Sequence, residues 1–280
     1  MNETEKKSLQ ITACKVRMGI IEGVFRAKSG HPGGSLSAAD IVTYLYFKVM
    51  RVDPQNPKWE DRDRFVLSKG HIAPCLYSVL AQRGFFPVEE LKTLRKVDSR
   101  LQGHPSMHYT PGVDMSSGSL GQGISTAVGM ALGAKIAKKD VRVYTVLGDG
   151  EIGEGQVWEA AMYAAAKKLD NLVAVVDNNN LQIDGTLEEV NSPYPIPEKF
   201  AAFGWNVVEI DAHDFDQIED AFQKAQACKG KPTAIIAKSV KGKGVSFMEN
   251  ECKWHGSAPN AEQYEQAMRE LSAALAEMEG

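Results

Sequence analysis

From residue 121 onward the chain switches repeatedly between helical spacing and short apolar runs, which leaves few folds open to it. Gly121–Lys138 reads as a helix of small residues, Val141–Leu147 as a strand, Gly155–Lys168 as a helix and Leu172–Val176 as a Val-rich strand. A loop and a short helix near Pro197–Phe203 come next. A strand at Trp205–Ile210, a helix at Phe215–Ala227, a strand at Thr233–Ala237 and a helix at Asn260–Glu279 close the chain. Strands alternating with helices specify an α/β fold, a parallel sheet flanked by helices, with right-handed crossovers.

The first 65 residues read as helical. Apolar residues recur at helical spacing over Ile11–Ala27 and again over Ser37–Met50, and Ser37-Ala-Ala-Asp40 resembles a capping box opening the second helix. Residues 66 to 120 are rich in loops, with a short strand at Arg64–Leu67 and a helix at Ala73–Gln82. With no repeat, low-complexity segment or Pro/Gly/Ser linker, residues 1–280 read as one unit.

Composition excludes several classes. The 32 basic and 36 acidic residues give a net charge of −4. A nucleic-acid binder usually shows a basic excess, so positive charge for an anionic ligand must be local. No apolar run reaches the roughly 18 residues of a membrane span, and the polar start lacks a signal-peptide core. The four cysteines, Cys14, Cys75, Cys228 and Cys252, form neither a CxxC pair nor a zinc pattern. Scattered single cysteines indicate a reducing compartment, hence an expected cytoplasmic location.

Two strand ends carry the first chemical signal. Gly148-Asp149-Gly150 follows one strand and Asp177-Asn178-Asn179-Asn180 the next, with a single crossover helix between them. Both loops therefore emerge at the carboxyl edge, where open α/β sheets bind ligands. Asp149 offers a carboxylate oxygen, Asn179 an amide oxygen and Leu181 a backbone carbonyl. Mg²⁺ takes such a set together with phosphate oxygens and water. Gly148 and Gly150 let backbone approach a diphosphate. Gly-Asp-Gly and an Asn run are also common loop punctuation; the spacing of one βαβ unit favours the functional reading.

Four of the six histidines abut glycine: His31, His71, His104 and His255. They lie in loop-like segments far apart in sequence, which points to one polar pocket where they take up and donate protons. His108 and His213 are read as surface or satisfied core residues. Ser116-Ser-Gly118-Ser-Leu120-Gly121-Gln-Gly123 either seats a flat ring against bare backbone or is simply a flexible loop before a close-packed helix. Lys238-Ser-Val-Lys241-Gly-Lys243 follows the last strand and is locally basic, so Lys241 is expected to meet an anion.

Seven motifs in order, Ser29-Gly-His31-Pro-Gly-Gly-Ser35, Ser68-Lys-Gly-His71, Gly103-His104-Pro105, Gly118 through Gly123, Gly148-Asp-Gly through Glu154-Gly, Asp177-Asn-Asn179 through Gly185, and Trp254-His255-Gly256, resemble transketolase, a thiamine diphosphate enzyme family. The resemblance runs from about Gly30 to Gly256. It implies Mg²⁺ (or Ca²⁺ or Mn²⁺) on Asp149, Asn179 and the Leu181 carbonyl. It places His71, Gly150 and His255 toward the diphosphate and the reacting carbon, and Gly118 and Leu120 against the aminopyrimidine. His31, His104 and His255 would bind substrate hydroxyls and shuttle protons. Glu154 would lie near an interface between subunits. Residues 1–280 would then be one diphosphate-binding domain with an N-terminal helical segment.

Full-length transketolases continue into a pyrimidine-binding domain and a C-terminal domain, for which this chain has no counterpart. The resemblance therefore implies the N-terminal subunit of a split enzyme, working with a C-terminal partner subunit on sugar phosphates as two plus two chains. The expected reaction moves a two-carbon ketol unit from a ketose phosphate to an aldose phosphate. Alternatives are a split relative acting on apulose phosphate or a sulfonated sugar, a deoxyxylulose-phosphate synthase-like enzyme, and a non-catalytic interaction paralogue.

Overall fold

A computed structural model describes residues 1–280. Its helices are α1 (Glu3–Ala27), α2 (Pro32–Ser37), α3 (Ala39–Tyr44), α4 (Ala73–Arg83), α5 (Gln122–Ile136), α6 (Gly155–Ala166), α7 (Leu187–Val190), α8 (Ile196–Ala202), α9 (Phe215–Ala227) and α10 (Ala261–Glu279). Its strands are β1 (Arg64–Leu67), β2 (Val143–Gly148), β3 (Leu172–Asn178), β4 (Asn206–Asp211) and β5 (Thr233–Lys238). They form one sheet in the order β1-β2-β3-β5-β4, and every pairing is parallel. This is the α/β sheet flanked by helices that the alternation specifies.

Residues of β1, β2, β3 and β5 are almost all buried, as a sheet covered by helices on both faces requires, while the edge strand β4 is partly exposed. Tyr144, Val146, Val173, Val175 and Ile235 face a core shared with α1, α3, α4 and α9. Val143, Leu147, Leu172, Ala174, Val176 and Ile236 face a second core under α5, α6 and α8. No helix is long and apolar enough to cross a membrane.

Two local readings are corrected. The helical stretch expected over Ser37–Met50 is broken into the end of α2, then α3, then a π-turn at Leu45–Val49. Ser37 does not cap a helix. It is the last residue of α2, and its hydroxyl donates to the Gly34 carbonyl at 3.0 Å and to Asp177 at 2.6 Å. The helix begins earlier because Pro32 supplies a preset first turn. At β3, Asp177 and Asn178 are strand residues, paired with Ala237 and Lys238 of β5, so the loop opens only at Asn179.

The order β1-β2-β3-β5 brings four carboxyl-end loops side by side. They carry Lys69 to His71, Gly148 to Glu151, Asn179 to Ile183, and Ser239 to Lys241. The switch in strand order lies between β3 and β5, where such sheets place their ligand crevice.

Candidate active site

The four loops, with α2 and the turn that bears His255, enclose a cleft of about 320 Å³. Its floor is a set of charges buried by the strand ends. Lys69 and Asp177 are 2% and 3% exposed and form an ion pair at 2.5 Å. Asp177 also accepts from Ser37, Ser239 and Asn179. Burial pushes its carboxyl up, but the Lys69 ammonium prevails and holds it below the usual carboxylate range. Glu151 caps the ends of two elements: it accepts from the amide of Gly148 at 2.9 Å, the amide of Gly121 at 3.0 Å and the Ser68 hydroxyl at 2.5 Å. Desolvation nonetheless raises its pKa. Gly121 opens α5 at φ 80°, and a Cβ there would meet Glu154 Cβ at 2.8 Å.

Asp149 stands just beyond β2 and is 2% exposed. It accepts from the Gly150 amide at 2.8 Å, the Asn180 amide at 2.6 Å and Asn178 Nδ2 at 3.1 Å. Burial and the charge of Asp177 raise its pKa. Asn180 takes the left-handed conformation at φ 64°, which Asn tolerates, and so turns the chain into the cleft. The Leu181 carbonyl accepts a hydrogen bond from Lys241 Nζ at 3.0 Å, so this oxygen already faces a cation. One carboxylate, one amide and one carbonyl thus lie along the same loops, a hard-oxygen donor set suited to Mg²⁺ completed by ligand oxygens and water. No three His, Cys, Asp or Glu side chains gather as a metal cage elsewhere.

Lys241 is buried, with its ammonium between the Leu181 carbonyl and His255 Nδ1 at 3.1 Å. Desolvation and the neighbouring Lys69 lower it to about 8, so it is still mainly charged at pH 7. Gly33 makes room for its stem, since a Cβ there would lie 2.9 Å from the Trp254 carbonyl and 3.1 Å from Lys241 Cγ. Gly150 keeps the opposite wall open; a Cβ there would press on Gln182 at 3.0 Å.

Three of the four glycine-flanked histidines meet. The ring centroids of His31, His71 and His255 lie 5.2 to 5.6 Å apart. Burial lowers His31 to about 4 and His255 to about 3, and pushes His71 well below its ordinary value; the charges of Lys69, Lys241 and Arg95 act in the same direction. All three are held neutral at pH 7, and His255, which accepts from the Lys241 ammonium through Nδ1, has its remaining ring proton on Nε2. His31 Nδ1 is buried with no hydrogen-bond partner. His104 is apart from the trio. It is exposed, packs over Gly118, and its pKa is lowered by partial burial and by Arg95, but it lies near enough to His31 for its charge to lower that residue's pKa.

Leu120 and Glu154 line the mouth of the cleft, and Gly148 lies on its floor. His108 is exposed. His213 is satisfied on both ring nitrogens, by Asp40 at 2.7 Å and the Val240 amide at 3.0 Å. Sequence reading gave no role to Lys69, Glu151, Asp177 or Arg95. The first three stand at strand ends inside the seven motifs, and a polar residue directly after an apolar strand was the available signal. Arg95, which donates to Ser29 at 2.7 Å, had none.

Comparison with known proteins gives the family and the fold. The family described as transketolase, thiamine diphosphate binding domain, matches residues 8–276. A 6-deoxy-6-sulfo-D-fructose transketolase subunit of Clostridium sp. (strain MSTE9) is 45% identical over 94% of this chain and 96% of its own length. An apulose-4-phosphate transketolase subunit of Phocaeicola vulgatus is 45% identical over 98% of this chain and 97% of its own. The crystal structure of Campylobacter jejuni transketolase superposes with a TM-score of 0.90 at 35% identity. It is matched over 97% of this chain but only 43% of that enzyme, so the chain spans less than half of that transketolase.

Proposed function

The chain belongs to the transketolase thiamine diphosphate-binding family, and from that premise we propose that it is the diphosphate-binding subunit of a two-chain transketolase. With a partner subunit carrying the pyrimidine-binding domain, it moves a two-carbon ketol unit from a ketose phosphate to an aldose phosphate. The observation that carries this reading is the cleft itself: a buried ammonium, a hard-oxygen donor set and three neutral histidines meet at one sheet edge.

Asp149, Asn179 and the Leu181 carbonyl would hold Mg²⁺, with Ca²⁺ or Mn²⁺ as substitutes, and Lys241, His71 and the backbone at Gly148 and Gly150 would hold the diphosphate. Gly118 and Leu120 would meet the ring at the other end, and Glu154 would face the partner. The donor chemistry, the orphaned His31 nitrogen and the open wall at Gly150 fit this group. When bound, thiamine diphosphate supplies the electron sink for breaking and remaking the carbon–carbon bond. His31, His255 and His104 orient substrate hydroxyls and pass protons to and from them; His31 and His104 in their neutral state each keep a lone pair for that task, whereas His255 accepts from Lys241 through Nδ1 and so presents its Nε2 proton. Residues 1–280 act as one domain, and two copies pair with two partner chains in the cytoplasm.

A second reading, an apulose-phosphate or sulfo-sugar transketolase, is favoured by the two 45% identical relatives, both matched nearly end to end. The test is turnover of ketose and aldose phosphates, apulose 4-phosphate and 6-deoxy-6-sulfofructose by the chain with and without its partner, with thiamine diphosphate and Mg²⁺. Ketol transfer only in the mixture is expected. Transfer by the chain alone refutes the two-subunit reading, and an inert mixture favours a non-catalytic paralogue.

A further inference from the structure

The loop that carries Lys241 is held from two sides. Facing the cleft, the Ser239 amide donates to the Asn178 carbonyl at 3.0 Å and the Gly242 amide donates to the Gly33 carbonyl at 2.9 Å. On the far side the loop rests on three side chains from elements distant in sequence, the half-buried His213 and the buried Asp40 and Arg17. The Val240 amide donates to His213 Nε2 at 3.0 Å. His213 Nδ1 lies 2.7 Å from Asp40 Oδ2. Arg17 grips both oxygens of Asp40, at 2.9 and 2.6 Å, and its Nε donates to the Lys243 carbonyl at 3.0 Å.

The partners dictate the state of each group. A backbone amide can only donate, so His213 Nε2 is unprotonated and its single ring proton sits on Nδ1, donated to Asp40. Arg17 is 7% and Asp40 5% exposed. Burial alone would push Asp40 up, but the Arg17 guanidinium and His213 hold its carboxyl well below the usual range, so it stays an anion. The unit is therefore a rigid chain of donors and acceptors running from α1 through α3 to the end of β5, and it touches the loop on both sides of Lys241, at residues 240 and 243.

We propose that His213, braced by Asp40 and Arg17, is a positioning residue that fixes the Lys241 ammonium at the diphosphate side of the cleft. The proposal rests on the diphosphate reading above. The His213 ring makes its hydrogen bonds to Asp40 and the Val240 amide and none to a residue lining the cleft, so its effect on ligand is expected to pass through the neighbouring Lys241. Gln places an amide oxygen where His has Nε2 and can still accept from Val240. Asn reaches only as far as Nδ1, so it can keep Asp40 company but leaves the Val240 amide unpaired.

The experiment uses the full chain for hydrogen exchange of the amides of residues 239–244, and the chain with its partner for calorimetric titration of thiamine diphosphate in Mg²⁺. His213→Ala and His213→Asn are expected to speed exchange at Val240 and to weaken binding about tenfold, the scale of one stranded buried donor. His213→Gln should restore both. In a Lys241→Met background the His213 substitutions should add no further loss, the mark of two residues acting as one. Equal losses in both backgrounds, a Gln variant as impaired as Asn, or loosened exchange with wild-type affinity would overturn the positioning role while Lys241→Met still weakened binding. A Lys241→Met variant that binds like the wild type would instead overturn the diphosphate reading of this face, and the proposal with it.

Discussion

Lys69→Met isolates the buried ion pair under the cleft. In the folded chain Asp177 has the Lys69 ammonium at 2.5 Å, the Ser37 hydroxyl at 2.6 Å and Asn179 Nδ2 at 3.3 Å, with Ser239 on its other oxygen. Met is unbranched and fills a similar space, so the loss is one of charge rather than packing. Removing one partner of a buried pair costs about 3–5 kcal/mol, because the other charge is left uncompensated. Three remaining hydrogen bonds place this case near the lower end, about 3 kcal/mol, a large share of the roughly 5–15 kcal/mol that holds a domain together. The pH dependence has a definite sign. In the wild type the Asp177 pKa is depressed, so its stabilisation is full above the ordinary carboxylate value and is lost as pH falls through the folded value. In Lys69→Met burial dominates, and the same carboxyl titrates above its unfolded value. Its penalty is then full at pH 7 and relieved as pH falls through that raised value. Asp149, whose pKa Lys69 also holds down, moves in the same direction. Guanidinium unfolding at pH 7 and pH 4.5 reads both effects, and Lys69→Met/Asp177→Asn should recover most of the loss. A deficit under about 1 kcal/mol at pH 7, the range of a surface pair, would refute the reasoning. So would a deficit of equal size at both pH values.

Three further outcomes are expected. The histidine trio should make the chain acid-sensitive: His31 and His255 have folded pKa values of about 4 and 3, so the unfolded chain binds more protons below about pH 6.5 and stability falls from there toward pH 4; His255→Gln should flatten the melting-temperature profile in that window, and an unchanged slope would contradict it. Asp149→Ala should abolish Mg²⁺-dependent thiamine diphosphate binding by the assembled enzyme in calorimetry. It should also cost about 1–3 kcal/mol of stability, because the Asn180 amide and Asn178 Nδ2 lose their acceptor; retained affinity would remove Asp149 from the site. His104→Ala should lower turnover by about 10²–10⁴-fold while cofactor affinity holds, whereas His71→Ala should weaken both; wild-type turnover in either variant would reduce that side chain to loop structure.

The sheet was legible because β-branched runs such as Leu172–Val176 alternate with helical spacing, and the order of strands and crossovers then fixes which loops share an edge. The histidines were legible as a group because each abuts a glycine; the rings of three of them meet, and His104, packed over Gly118, is near enough for its charge to act on His31. The ends of elements were less legible. Ser37 looks like a cap by spacing, yet its hydroxyl is drawn to Asp177, a residue 140 positions away that local pattern does not contain. Asp177 and Asn178 have the composition of a turn, but β5 supplies partners that extend β3 through them. His213 reads as a satisfied histidine and is one; what it is satisfied by, Asp40 and the Val240 amide, is a tertiary fact.

The charges of the cleft bear on the divalent ion proposed for it. Lys69 is spent on Asp177, and Glu151 is held by two backbone amides and a hydroxyl. The three clustered histidines are neutral at pH 7, and protonating them is opposed by Lys69 and Lys241 close by. Lys241 is then the main positive charge left to meet a ligand, and Asp149 is a buried carboxyl on the same floor. A diphosphate brings several negative charges into this space, more than one ammonium offsets. A divalent cation held by Asp149 would reverse the sign of that carboxylate's effect on a bound anion. Without the ion, burial and Asp177 already push Asp149 toward its protonated form. Metal and diphosphate should therefore bind as a unit, with the chain's buried acids arranged so that neither is well accommodated alone.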